Sequence, residues 1–108
     1  MSSQTSDPRL TEVIRRLVEA YQPERIYLFG SHARGDAGPD SDFDLLVVVP
    51  DDTPQERTRS RLAYQVLRGT RLAVDVLVWT RRSFESRLGV PASLPAVVER
   101  EGMMLYAA

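Results

Sequence analysis

Residues 30–48 read GSHARGDAGPDSDFDLLVV, and the folding of this stretch decides the rest of the chain. Ahead of it, the aromatic and branched run from Arg25 to Phe29 predicts a strand that stops at Gly30. Ser31 to Arg34 can wind one helical turn, and Gly35 to Ser41 is loop by its glycine, proline and aspartate content. Phe43 to Val49 is apolar on both faces beyond Asp44, which predicts a second strand in the middle of a covered sheet. The two ends of the stretch carry different chemistry. Gly30 permits a tight turn and close approach of the backbone, and Ser31 with the N–H groups after it can accept a phosphate. Asp42 and Asp44 stand two apart, so their side chains share one face, with Cα atoms roughly 6.5 Å apart.

Paired carboxylates of this kind suit metal bridging. Two divalent ions in a phosphoryl-transfer site lie about 3.5–4 Å apart, and two adjacent aspartates can hold both. Magnesium is the natural choice, because it takes oxygen ligands and completes its shell with water and phosphate. Arg34 can add a charge-assisted contact to a triphosphate, or pair with Asp36 or Asp40 on a solvated loop. Ser41 can touch a phosphate or stiffen the entry to the strand, and Ser31 can bind phosphate or cap its own turn. His32, the only histidine, is expected as an exposed loop or helix residue.

Outward from this stretch the elements follow in order. Ser6-Asp7-Pro8 is a helix start, and Leu10, Val13, Ile14, Leu17 and Val18 at helical spacing carry the helix to about Tyr21. Thr53-Pro54-Gln55-Glu56 matches a capping box, which predicts a helix to about Arg68 with Gly69 as its stop. Arg57, Arg59, Arg61 and Arg68 would form its solvated face. Leu72 to Trp79 is a third strand, apolar on both faces except for Asp75. An unpaired carboxylate there would be costly, and a bound cation accounts for it where packing does not. If this strand lies beside the second, Asp75 joins Asp42 and Asp44 and can serve as general base to an incoming hydroxyl. Thr80 can cap a short helix through Leu88, and a last helix near Pro95 to Arg100 ends at Gly102 before a strand from Met103 to Tyr106. The expected architecture is a single α+β layer, helices on a mixed, mostly antiparallel sheet, in one domain spanning 1–108.

The segment Gly30 to Val48, a Gly-Ser pair followed by ten residues and then Asp-x-Asp, resembles the signature of minimal nucleotidyltransferases of the DNA polymerase β superfamily. Asp75 in its apolar strand and the closing Glu-Gly-Met-Met-Leu-Tyr extend the likeness over most of the chain. The resemblance implies a polymerase β-like nucleotidyltransferase fold, ATP as nucleotide donor and Mg2+, two ions, at Asp42, Asp44 and Asp75, which are also the catalytic set. It implies nucleotide binding by Gly30 and Ser31. It further implies a HEPN-domain partner, a toxin whose tyrosine receives AMP, with this chain as the antitoxin. The alternative, from a different class, is a non-catalytic module that neutralises a protein partner by masking its surface.

Composition bounds these expectations. At 108 residues the chain fits one domain and leaves no room for a second, acceptor-binding one. Its hydrophobic fraction of 43% and charged fraction of 27% are those of an ordinary globular protein. A net charge of -1 makes nucleic acid a poor direct ligand. All 14 basic residues are arginine, from which no mechanism follows. The absence of cysteine excludes disulfides and thiolate chemistry. The polar N-terminal segment and the lack of a long apolar run predict a cytoplasmic protein with no membrane span. Nucleotide preference, the number of nucleotides added and the oligomeric state stay open.

Overall fold

The computed structural model describes residues 7–108, so Ser6 lies outside the described residues. Helix α1, Pro8–Tyr21, begins where the Asp7 carboxylate accepts the Arg9 N–H at 2.8 Å and Pro8 occupies the first turn, where its missing N–H has no bond to lose. Its stripe of Leu10, Val13, Leu17 and Tyr21 is buried. Gln22, left-handed at φ 51°, ends it by donating its N–H to the Val18 carbonyl. Strand β1 (Arg25–Phe29), the single turn α2 (Ser31–Arg34) and strand β2 (Phe43–Val49) occupy the places the sequence predicts.

The connection after β2 departs from expectation. In place of one helix from Thr53 to Arg68 there is a 3-10 turn, Gln55–Arg57, and then helix α3, Ser60–Val66. The capping box does not form, because Pro54 itself sits at the cap of the turn and no side chain bonds there. Arg59 is extended between the two pieces, and the buried Tyr21 donates its phenolic O–H to the Arg59 carbonyl at 2.5 Å, fixing the break. Strand β3 is Val74–Thr80, helix α4 is Arg81–Ser86, helix α5 is Leu94–Glu101 and strand β4 is Met103–Ala107. The Thr80 hydroxyl accepts the Ser83 N–H and caps α4, and Ser93 caps α5 in the same way through Ala96.

The strands form one sheet in the order β3-β2-β1-β4. β1 runs antiparallel to β2 and to β4, and β2 runs parallel to β3, so the sheet is mixed and mostly antiparallel. Helices cover both faces, where the sequence predicts one layer. On one face α1 and α3 bury Leu17 and Ala63 against Ile26, Leu45 and Val47. On the other, Phe84 of α4 and Val98 of α5 pack on Tyr27, Leu46 and Val48, and the Tyr27 and Phe84 rings stack at 5.6 Å. Leu45 to Val49 are therefore buried without exception, each worth about 1.5–3 kcal/mol of transfer free energy. β3 is different. It is an edge strand on which Asp75 and Leu77 are exposed, which corrects the expectation of a strand covered on both faces. No helix among the described residues is long and apolar enough to cross a membrane.

Candidate active site

The N-terminal ends of β2 and β3 and the turn after β1 meet at one end of the sheet. Alternation along β2 sends Phe43, Leu45 and Val47 into the α1 side and Asp44, Leu46 and Val48 to the α4 side. The parallel register sets Asp44 opposite Asp75, with Phe43 opposite Val74 and Leu45 opposite Val76. The two carboxylates thus stand side by side on one face, although 31 positions separate them in the chain (75 minus 44). Asp42 lies just before β2 and is exposed.

On the other flank, Phe29 of β1 is the register partner of Asp44, so the next residue, Gly30, arrives against the Asp44 carboxyl. Gly30 has φ 76° and ψ -155°, a combination essentially reserved for glycine. A Cβ built on it would collide with Asp44 Oδ2. The glycine therefore serves both the turn and the room above the carboxylate. Gly30 caps α2 without a side-chain bond, and Ser31 is the first residue of the turn. The first N–H groups of such a turn have no partner within it.

Electrostatics mark Asp44 as the stressed group. Burial first, then the charges of Asp75 and Asp42, push its carboxyl above the ordinary aspartate value, while His32 and Arg34 pull the other way. Its surroundings supply no hydrogen-bond donor among the described residues. A half-buried carboxylate held beside two others without a donor is the setting in which a divalent cation reverses the balance and keeps the acids ionised. The hard oxygen donors fit magnesium. Among the described residues no three acidic or imidazole side chains are already drawn into a closed metal nest. The fit therefore rests on the Asp44–Asp75 pair and the space under Gly30.

The remaining sequence candidates divide. Arg34 forms an exposed ion pair with Asp36 at 3.2 Å, while its charge is still felt by Asp44. The Ser41 hydroxyl accepts the Gly38 N–H at 2.9 Å and ties the loop, so here it stiffens the entry to β2. His32 is not the exposed residue expected. Its ring stacks on Phe43 with centroids 3.7 Å apart, and Nε2 lies 2.9 Å from the Ser41 carbonyl. His32 Nδ1 is buried with no partner. The histidine thus fastens the Gly30 turn to the loop that presents Asp42. A cleft of about 450 Å³ runs beside this loop, lined by His32, Ser41, Phe43, Arg71 and Leu72 among others, and the three aspartates lie outside its walls. Tyr64 on α3, which nothing in the sequence singles out, donates its O–H to Asp75 Oδ1 at 3.1 Å.

Comparison with known proteins bears on the family and the fold. The model of the nucleotidyltransferase domain matches residues 10–100. No curated protein matches the chain by sequence. Among solved structures, it is similar to a chain of a toxin-antitoxin crystallised with AMP-PNP, at 26% identity and TM-score 0.58, over 90% of this chain and 73% of that one. A Sulfolobus solfataricus chain provisionally named a nucleotidyltransferase shares the fold at 20% identity and TM-score 0.63, over 93% of this chain and 78% of that one. So does a chain in the complex of tri-AMPylated Shewanella oneidensis HEPN toxin with MNT antitoxin, at 21% identity and TM-score 0.51, over 100% of this chain and 74% of that one.

Proposed function

The chain belongs to the nucleotidyltransferase domain family, and from that premise we propose that it transfers AMP from ATP to a hydroxyl, with a tyrosine of a HEPN-domain toxin as acceptor, and so acts as an antitoxin. The observation that carries this is the Asp44–Asp75 rung beneath Gly30: two carboxylates of one face brought together by strand register, under a glycine whose missing Cβ leaves room. The similarity to a toxin-antitoxin crystallised with AMP-PNP supports ATP as donor, and the likeness in fold to a complex with an AMPylated HEPN toxin suggests the acceptor.

In this proposal Gly30 and Ser31 receive the triphosphate at the open end of the α2 turn, and Arg34 exchanges its exposed bond to Asp36 for a phosphate oxygen. Ser41 holds the loop, and with it Asp42, in place. Asp42, Asp44 and Asp75 would hold magnesium, two ions, which when bound neutralise the charge that gathers on the leaving pyrophosphate. Asp75, exposed on the edge strand, is the carboxylate an outside hydroxyl can reach, and it takes the proton as the new P–O bond forms. We place its work in the cytoplasm, where ATP is at hand.

The test is incubation with magnesium, ATP and a HEPN-domain partner, followed by intact mass of that partner. An adenylyl adduct is expected with the native chain and none with Asp42→Ala combined with Asp44→Ala. An adduct of equal yield from the double variant would defeat the proposal.

A further inference from the structure

Four groups stand in sequence across the site: the Tyr64 hydroxyl, the Asp75 carboxylate that accepts its hydrogen bond, Asp44 on the same rung, and the Gly30 turn over Asp44. Tyr64 belongs to α3, which packs through Ala63 on the α1 side of the sheet, whereas Asp75 belongs to the opposite face. The phenol reaches it past β3 because β3 is an edge and no further strand stands in the way. Tyr64 is 51% exposed, so burial does not hold it there; the bond to Asp75 does. A hydroxyl held by the base, on the far side of the carboxylates from the phosphate turn, has the pose an acceptor must take for in-line attack. This rests on the transferase function proposed above.

We infer that Tyr64 is an acceptor for the chain's own activity, so that without an outside hydroxyl the protein nucleotidylates itself at this residue. The Tyr64 Oη attacks the α-phosphorus of ATP, the bond from that phosphorus to the bridging oxygen breaks, and pyrophosphate leaves with the electron pair. The phenolic proton passes to Asp75, and the product is a phosphodiester joining Tyr64 to adenosine. The nucleotide so attached stands against Asp75 and closes the base to other acceptors.

The experiment is incubation of the full chain with magnesium and ATP, with and without the HEPN partner, read by intact mass and peptide mapping. One adenylyl adduct on Tyr64 is expected without partner, at a rate that does not change when the protein is diluted, and the adduct is lost in Tyr64→Phe. A readout without turnover complements it: magnesium and a non-hydrolysable ATP analogue shift the ring resonances of Tyr64 and leave those of Tyr106, on the opposite edge strand, in place. An adduct on Tyr21, Tyr27 or Tyr106, a rate proportional to protein concentration, or unmoved Tyr64 resonances would each overturn the inference. Labelling of the partner alone would overturn it too while leaving the transferase function standing. Labelling of neither protein would remove both.

Discussion

Asp44 and Asp75 occupy the same rung of the sheet, yet one belongs to the central strand and the other to an edge. Asp44 has Phe29 on one side, Gly30 above it and the covered run Leu45 to Val49 behind it, so burial and like charge both act on its carboxyl. Asp75 faces solvent, and the one hydrogen-bond partner of its carboxylate among the described residues is an exposed tyrosine. Under the proposed function, the difference gives the two carboxylates separate duties. The inner carboxylate is strained and fixed, as a ligand should be. The outer one is accessible, as a base that meets an incoming molecule must be.

The comparison can be broken most directly through activity. Asp44→Ala and Asp75→Ala should each lower the rate of adenylyl transfer about 10³-fold, the scale on which removing one preorganised charge-stabilising group acts. Retention of activity by either variant, in a mass-based time course, would strip that residue of its duty. Gly30→Ala comes next. The alanine must hold a positive φ and push its methyl against the Asp44 carboxyl, so unfolding free energy should drop by about 1–3 kcal/mol in urea titration, with transfer lost as well.

Smaller effects sharpen the contrast between the two aspartates. Because the folded-state affinity of Asp44 for a proton is raised, its contribution to stability is present at low pH and is lost as pH rises from the ordinary value of 3.8 through the raised one. Asp44→Asn should therefore stabilise the metal-free protein at neutral pH. The gain should vanish as pH falls below the ordinary value. Thermal melts of this variant across pH check the sign, and a gain that persists below the ordinary value would contradict the assignment. Last, the hydrogen bond to Asp75, with burial second, holds the Tyr64 phenol above its ordinary titration range. Asp75→Asn should lower it, which NMR titration of the Tyr64 ring would detect.

Local chemistry made much of this legible in the sequence. The Pro8 helix, the strand ending at Gly30 and the Phe43 strand are each delimited by residues whose backbone preferences leave few choices, and the Asp-x-Asp alternation needs only strand geometry. Position within the sheet was not legible. Leu45 to Val49 and Val76 to Trp79 are equally apolar on paper, but only the first run has a neighbour on each side. The burial expected of Asp75 is therefore absent, and it is Asp44 whose carboxyl burial strains. The break in α3 was hidden because its cause, the Tyr21 hydroxyl, lies 38 residues away from Arg59. His32 was misread for a similar reason: its partners, Phe43 and Ser41, close on it only once the loop folds back.

The parallel pairing of β2 with β3 also bears on motion. β3 is hydrogen-bonded to the sheet along one side only, so its outer half is free to loosen while the body of the fold stays intact. A ligand gripped by both Asp44 and Asp75 spans that seam and fastens the strand to its neighbour. Amide exchange from Val74 to Val78 should slow on saturation more than exchange in β1, making the rim of the sheet a natural reporter of occupancy.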